Sequence, residues 1–118
     1  MSRILLVDDD RDQLDLRQAI FENAGHEVLA AATPFEALDL LRRHDPSSVI
    51  LDLCLPTEDD GVKLLRDMRS MSDRIRIYVL SGWTAGLRAR SEAALADRIL
   101  EKPARASLLA KLVDSEKP

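Results

Sequence analysis

The sequence is poor in cysteine, in aromatic residues and in long apolar segments, and each shortage excludes a class of protein. Its single cysteine, Cys54, cannot form an internal disulfide, which indicates a reducing compartment. No run approaches the ~20 apolar residues that span a bilayer, and the N-terminus lacks the pattern of a signal peptide. The chain is therefore predicted to be soluble and cytoplasmic, with no membrane association.

Basic residues are also too few for a nucleic-acid-binding surface. The 17 Lys and Arg residues are outnumbered by 21 Asp and Glu residues, which gives a net charge of −4. Nucleic-acid-binding domains normally carry a basic face, so direct binding of DNA or RNA is not expected. The chain has 118 residues and is 46% hydrophobic, which is enough for one core, so residues 1–118 are predicted to form one domain.

Apolar, β-rich segments alternate five times with segments of helical periodicity. This alternation predicts an α/β fold of three layers, in which helices cover both faces of a parallel sheet. The predicted strands are residues 4–7, 26–32, 48–53, 74–82 and 98–103. The predicted helices are residues 10–25, 33–46, 61–71, 85–97 and 104–115.

Local signals set the limits of the first two helices. Asp10 or Asp12 is placed to cap the first helix, and Gly25 suits the left-handed residue that ends it. Thr33 and Pro34 are typical of the start of the second helix. The apolar residues that recur at helical spacing on the first helix, and so predict its buried face, are Leu16, Ala19, Ile20 and Ala24.

Polar side chains occur at the carboxyl ends of four of the five predicted strands. They are Asp8, Asp9, Asp52, Ser81 and Lys102. In doubly wound sheets the functional groups gather at this edge. Three carboxylates in one place need a cation to balance their charge, and Mg²⁺ prefers such oxygen ligands. The sequence therefore predicts a magnesium site at Asp8, Asp9 and Asp52, with the backbone carbonyl of Cys54 as a further ligand and Mn²⁺ as the alternative ion.

A metal and a lysine beside a carboxylate are suited to phosphoryl transfer. Asp52 is predicted to be the nucleophile that forms an aspartyl phosphate. Lys102 and the metal would neutralise charge on the transferring oxygens, and the Ser81 hydroxyl would bind one of them. Asp10 is interpreted as a helix cap and not as a ligand.

Four motifs that run through the whole chain identify a family. "LLVDDD", "ILDLCLP", "LSG" and "EKP" resemble the receiver domains of two-component response regulators. The resemblance implies a flavodoxin-like, doubly wound sheet of five parallel strands in the order 2-1-3-4-5, with five helices. It also implies that a sensor histidine kinase or a histidine phosphotransfer protein donates the phosphoryl group, and that a downstream partner or output domain responds. No output domain is predicted within this chain, and homodimer formation is left open.

The resemblance assigns roles residue by residue. Asp52 matches the phosphoacceptor of the family, and Asp8 and Asp9 match its metal pair. Ser81 and Lys102 match the hydroxyl and the lysine that the family uses. The proline that follows the lysine is Pro103, whose peptide bond is often cis in this family.

Three features depart from the family pattern. Gly61 lies nine residues after Asp52, where most receivers have a glycine at eight, so we expect a lengthened loop beside the site. Ile99 replaces the aromatic residue that usually rotates inward on activation, which changes the usual coupling to the hydroxyl. Trp83, two residues after Ser81, either lines the site and screens the phosphate from water or simply covers the surface.

Five further residues are assigned to the surface or to a helix end. Leu14 is predicted to be an exposed contact for the histidine-bearing partner, with local packing as the alternative. Asp59 and Asp60 are predicted to cap the third helix. His26 and His44 are interpreted as surface residues.

Two alternative functions remain open from the sequence. Asp8 and Asp10 form a D-x-D motif that resembles the haloacid-dehalogenase-like phosphatases, in which Asp8 would be the nucleophile. The order of the later motifs and the length of the chain count against that resemblance. The second alternative is a receiver-like interaction module that is never phosphorylated, which the Ile99 and loop departures allow.

Overall fold

Five strands and the helices between them make up a computed structural model that describes residues 3–115. The strands are β1 (Arg3–Val7), β2 (Glu27–Ala31), β3 (Ser48–Asp52), β4 (Arg76–Ser81) and β5 (Arg98–Glu101). The helices are α1 (Arg11–Asn23), α2 (Pro34–His44), α3 (Glu58–Met71), α4 (Thr84–Arg88) and α5 (Ala106–Ser115), with a 3-10 helix (Ser91–Leu95) after α4. The predicted domain, residues 1–118, extends beyond the described residues at both ends.

All neighbouring strands are parallel, and their order is β2-β1-β3-β4-β5, so the predicted order is confirmed. Val7 at the end of β1 lies opposite Leu51 in β3. Asp52 at the end of β3 lies opposite Leu80 in β4. The carboxyl ends of the central strands therefore meet at one edge of the sheet, where functional groups gather in such folds.

The sheet is buried on both faces because alternate residues of each strand point to opposite sides. The residues that pack against α2, α3 and α4 are Leu5, Val7, Val49, Leu51, Ile77 and Val79. The residues that pack against α1 and α5 are Ile4, Leu6, Ile50, Tyr78 and Leu80. This confirms the three predicted layers, and burial of these aliphatic side chains is the main force that holds them together.

The buried face of α1 differs from the prediction. It consists of Leu14, Arg17 and Phe21, whereas Leu16 is 56% exposed and Ala19 is exposed. The predicted stripe that begins at Leu16 is wrong, and so is the prediction that Leu14 is an exposed contact. The buried face has the helical spacing i, i+3, i+7. Because Arg17 in its middle is charged, the spacing of apolar residues alone does not reveal this face.

The ends of the first two helices follow the local signals. The Asp10 carboxylate caps α1 by accepting the backbone N–H of Asp12 at 3.0 Å. Gly25 has φ +94°, the left-handed conformation that ends a helix readily only in glycine. Thr33 Oγ1 caps α2 by accepting the N–H of Glu36 at 3.1 Å. These predicted limits are confirmed.

The third helix begins earlier than predicted, at Glu58. Thr57 Oγ1 accepts the N–H of Asp60 at 3.2 Å, and the Asp60 carboxylate accepts the N–H of Thr57 at 3.3 Å. This reciprocal capping box satisfies two backbone donors at the helix start. Asp60 therefore takes part in the cap as predicted, whereas Asp59 forms an ion pair with Arg90 at 2.9 Å.

Gly61 allows α3 to lie against the end of β3. A Cβ atom at this position would overlap the backbone carbonyl oxygen of Leu53, so no other residue fits without a backbone shift. The connection from β3 to α3 spans residues 53–57, where the sequence predicted residues 54–60. The lengthened loop that we expected from the spacing of Gly61 is not formed, because residues 58–60 are helical.

The single helix predicted over residues 85–97 is wrong, because α4 ends after five residues and the 3-10 helix follows. Arg90, between the two, is extended at φ −90° and ψ 148°, and its guanidinium binds the Asp59 carboxylate. Arg69 donates to the carbonyl oxygen of Leu95 at 2.8 Å and fixes the end of the 3-10 helix. Tertiary contacts thus outweigh the helix propensity of this alanine-rich segment.

His26 does not lie on the open surface, so that interpretation is corrected for this histidine. His26 is 5% exposed because its ring packs beside Phe21, with 6.1 Å between the ring centroids. Its Nε2 atom lies 3.0 Å from the Asp114 carboxylate of α5. His44 is half-buried at the end of α2. Among residues 3–115, no helix is both long enough and apolar enough to cross a bilayer.

Candidate functional site

The predicted site residues come together at the carboxyl edge of the sheet. Asp8 directly follows β1, Asp52 ends β3, and Lys102 directly follows β5. With Asp9 they line one depression of about 410 Å³, whose other lining residues are Asp10, Gln13, Arg17, Cys54, Pro103 and Ala104. Ser81, at the end of β4, lines an adjoining cavity that also contains Lys102.

Asp52 is held by a lysine and by its own loop. Lys102 Nζ donates to Asp52 Oδ1 at 2.7 Å, and the backbone N–H of Cys54 donates to the same oxygen at 3.1 Å. The Asp52 side chain is 8% exposed and that of Lys102 is 34% exposed. The contact is a charge-assisted hydrogen bond, and it places the Lys102 ammonium group against the Asp52 carboxylate, the candidate nucleophile.

Asp8 is the most deeply buried carboxylate of the site. Its Oδ1 accepts the backbone N–H of Asp10 at 2.9 Å, and its Oδ2 accepts from Arg17 Nη1 at 2.9 Å. Burial raises the pKa of Asp8, as does the neighbouring Asp52 carboxyl, while the Asp10 N–H and the Arg17 charge oppose the increase in pKa. The ionised form of Asp8 is therefore disfavoured in the folded protein, and a bound cation would stabilise it.

Arg17 is a site residue that the sequence analysis missed. It projects from the middle of α1 into the depression and is only 7% exposed. The signal was present in the sequence, because Leu14, Arg17 and Phe21 share one helical face. A charged residue inside an otherwise apolar stripe indicates a buried ion pair.

Ser81 and Trp83 form the wall of the adjoining cavity of about 330 Å³. Ser81 Oγ accepts the backbone N–H of Trp83 at 3.0 Å. The indole lies flat against α4, where a Cβ atom at Gly86 would overlap it, and Trp83 is still 66% exposed. Trp83 therefore lines the cavity beside Lys102 and is also largely exposed, and whether it screens a phosphoryl group stays a prediction.

Glu58 is a further residue of this cavity that the sequence analysis did not single out. It stands at the first position of α3, and its Oε1 atom is buried without a hydrogen-bond partner. The spacing of Gly61 predicted only a lengthened loop, so the sequence carried no specific signal for Glu58.

The donor set fits Mg²⁺ bound mainly through carboxylates and water. Within residues 3–115, no three acidic, histidine or cysteine side chains stand together as a complete metal cage. Mg²⁺ does not require one, because it binds through one or two carboxylates and keeps several waters. Asp8 and Asp52 repel each other in the same depression, and Asp9 and Cys54 line it.

Two other residues to which the resemblance assigns a role lie on either side of Lys102 in the sequence. Ile99 lies on β5, and Pro103 directly follows the lysine. The Lys102–Pro103 peptide bond is cis, as the resemblance implies, and so is the Leu55–Pro56 bond. Ile99 lies opposite Val79 in the sheet and packs against the core under α2, α3 and α4. An aliphatic core contact thus occupies the position of the usual aromatic residue.

The decisive comparison is with a family profile. The profile described as "Response regulator receiver domain" matches residues 4–114. The chain belongs to this family. This receiver domain is 30% identical over 81 residues to sporulation initiation phosphotransferase F of Bacillus subtilis (strain 168), a stretch that covers 69% of this chain and 64% of that protein.

Solved structures of other receivers have the same fold. The CheY-like response regulator receiver domain protein of Methanospirillum hungatei JF-1 is 28% identical with a TM-score of 0.88, over 98% of this chain and 93% of that one. TrrA of Thermotoga maritima, solved in complex with Mg²⁺ and BeF, is 25% identical with a TM-score of 0.84, over 98% of both chains. Family membership favours the receiver interpretation over the phosphatase alternative, in which Asp8 is the nucleophile.

Proposed function

We propose that this receiver domain accepts a phosphoryl group on Asp52 from the phosphohistidine of a sensor histidine kinase or of a histidine phosphotransfer protein. Mg²⁺, or Mn²⁺ in its place, would be held by Asp8, Asp9, Asp52 and the backbone carbonyl of Cys54. The observation that carries the proposal is the 2.7 Å contact between Lys102 and Asp52 in a depression that also holds Asp8. The TrrA complex with Mg²⁺ and BeF, on the same fold, supports it.

The two oxygens of Asp52 take different parts in the proposed reaction. Both donors, Lys102 Nζ and the Cys54 N–H, reach Oδ1, so Oδ2 is the oxygen that attacks phosphorus. The new O–P bond forms as the N–P bond to the donor histidine breaks, and the imidazole keeps the electron pair and takes up a proton. When bound, Mg²⁺ would neutralise charge on the transferring oxygens.

Phosphorylation would then change the surface near β4 and β5. The phosphoryl group gives Lys102 a second anionic partner. It also gives the Ser81 hydroxyl an acceptor for its proton, while Ser81 Oγ already accepts the backbone N–H of Trp83. Movement of these two groups shifts the ends of β4 and β5, which biases the domain toward a second conformation. Ile99 transmits this shift through core packing in place of an aromatic rotation.

The same proposal covers the setting of the reaction. Residues 1–118 act as one receiver unit in the cytoplasm, where Cys54 stays a free thiol. The response is a changed affinity for a downstream partner or output domain, or for a second copy of the domain. The net charge of −4 disfavours direct binding of nucleic acid by this domain.

The test uses a small phosphoryl donor and locates the product. Wild-type protein with Mg²⁺ and acetyl phosphate should gain the mass of one phosphoryl group on the peptide that contains Asp52. Asp52→Asn should gain none, whereas Asp73→Asn, an exposed control, should be labelled like the wild type. Labelling of Asp8 would favour the phosphatase alternative, and no labelling at all would favour an interaction module that is never phosphorylated.

A further inference from the structure

We propose that Arg17 is a built-in counter-ion that weakens Mg²⁺ binding, because it shares Asp8 with the metal. Arg17 thereby sets the Mg²⁺ concentration at which the domain becomes competent for phosphorylation. This inference deepens the proposed function and depends on its magnesium site. It concerns a residue that binds Asp8 and whose charge lies beside the metal site.

The burial of Arg17 is the first support. Its side chain is 9% exposed and its partner Asp8 is 2% exposed, so both charges have left water. A buried ion pair gains little or no stability over apolar residues of similar volume, and Leu14 and Phe21 on the same face of α1 show that apolar packing is available there. Packing alone therefore does not explain an arginine at this position.

The contacts of Asp8 are the second support. Both of its oxygens already accept from the protein, Oδ1 from the Asp10 N–H and Oδ2 from Arg17. A metal must share at least one oxygen with these donors. Because Asp8 is held from two sides, its carboxylate is fixed in direction before any metal arrives, and the metal meets a ligand with reduced negative charge.

The position of the guanidinium is the third support. Arg17 lines the same depression as Asp9, Asp52 and Lys102, so its charge faces the place where the metal would bind. Arginine keeps its charge at every relevant pH, and the 2.9 Å contact with Asp8 holds the guanidinium beside the depression. A fixed positive charge beside a divalent ion repels it, and the repulsion is stronger in a partly buried site than in water.

Arg17 has two opposing effects on the affinity for Mg²⁺, and the larger one decides whether the affinity rises or falls. Holding Asp8 in place favours metal binding by about the net free energy of one hydrogen bond. Repulsion between a unit charge and a divalent ion inside a partly buried site is several times larger. Arg17 therefore lowers the affinity for Mg²⁺ overall.

The experiment measures Mg²⁺ binding by isothermal titration calorimetry in four proteins. Arg17→Gln removes the charge but keeps a donor for Asp8, and Arg17→Lys keeps the charge. Arg11→Gln makes the same chemical change at an exposed position of the same helix. We expect Arg17→Gln to bind Mg²⁺ at least about tenfold more tightly than the wild type. Arg17→Lys and Arg11→Gln should stay within about threefold of the wild type, a pattern that a purely structural role for Arg17 would not produce.

Several outcomes overturn the inference. Equal or weaker Mg²⁺ binding by Arg17→Gln, with Asp52 still labelled by acetyl phosphate, rejects it while the proposed function stands. Arg17→Met serves as a second neutral variant if the glutamine protein does not fold. Failure of both neutral variants to fold also rejects it, because Arg17 would then serve folding. Absence of Mg²⁺ binding and of Asp52 labelling in all proteins rejects the proposed function and the inference together.

Discussion

Two ion pairs in the same site differ in their surroundings far more than in their geometry. Arg17 meets Asp8 at 2.9 Å, and the two side chains are 9% and 2% exposed. Lys102 meets Asp52 at 2.7 Å, and these side chains are 34% and 8% exposed. The distances are alike, but only the second pair has a cation in contact with water. The two pairs therefore differ in burial and not in distance. The buried Arg17 is expected to keep its partner, whereas the partly exposed Lys102 can change partners.

The chemistry of the two cations strengthens this difference. The planar guanidinium of Arg17 comes from the middle of α1, on the helix face that also carries the buried Leu14 and Phe21. The ammonium group of Lys102 follows the end of β5 on a flexible stem and can rotate its donors toward a new anion. The Arg17–Asp8 pair is thus suited to holding the site together, and the Lys102–Asp52 pair is suited to the reaction.

The largest expected effect comes from breaking the buried pair. Asp8→Ala leaves the Arg17 charge buried without its partner, which should lower the free energy of unfolding by about 3–5 kcal/mol. Urea unfolding followed by circular dichroism measures it. The neighbouring Asp9→Ala removes an exposed carboxylate and should change the free energy of unfolding by less than about 0.5 kcal/mol. Equal losses in the two variants would contradict the structural role of the buried Arg17–Asp8 pair.

The next effect comes from breaking the Lys102–Asp52 pair, of which only the lysine is partly exposed. Lys102→Met should slow phosphorylation by acetyl phosphate about 100-fold, since it removes a cation aimed at the transferring oxygens. The free energy of unfolding should change by less than about 1 kcal/mol, because the pair is partly in solvent. Rates come from the mass of the intact protein over time. A variant that reacts normally but unfolds easily would reverse the assigned roles of the two pairs.

The fold and most of the site were predictable because they depend on signals that local sequence carries. Alternation of strands and helices fixes the layers, and strand ends that carry Asp8, Asp52 and Lys102 must meet at one edge of a parallel sheet. The caps at Asp10 and Thr33 depend only on neighbouring residues, so they were predicted as well. Local and global preferences agree in these parts of the chain.

The errors occur where a contact distant in sequence decides the local structure. Arg17 lies on the buried face of α1, where it donates to Asp8 just after β1, so the apolar pattern alone selected the wrong face. The helix predicted over residues 85–97 is divided because Arg90 turns to Asp59 of α3. Neither partner could be identified from the segment itself, and both errors mark charged residues with a specific role.

The third prediction uses pH to separate the two pairs. Burial raises the folded-state pKa of Asp8 above its unfolded value, so the folded protein holds this proton more tightly than the unfolded chain. The resulting stability is fully present below the unfolded pKa of about 3.8. It is lost as pH rises through the folded pKa, because the unfolded state then binds fewer protons than the folded one.

The measurement is the free energy of unfolding at several pH values above about 4, without metal, in the wild type and in Asp8→Asn. The wild type should lose stability relative to the variant as pH rises. Saturating Mg²⁺ should remove this decline, since the metal binds the ionised carboxylate. Parallel curves for the two proteins would show that Asp8 ionises equally easily in the folded and unfolded states.

The smallest expected effect is spectroscopic and reports on the exposed pair alone. Trp83 is the only tryptophan, and it lines the cavity that contains Ser81 and Lys102. Its backbone N–H binds Ser81 Oγ, so a new anion that draws Ser81 and Lys102 inward should alter the surroundings of the indole. Beryllofluoride with Mg²⁺ should therefore change the Trp83 emission in the wild type and in Arg17→Lys, but not in Lys102→Met. An unchanged signal in the wild type at saturation would show that the indole does not sense the site, and an equal change in Lys102→Met would show that Lys102 is not the group that moves.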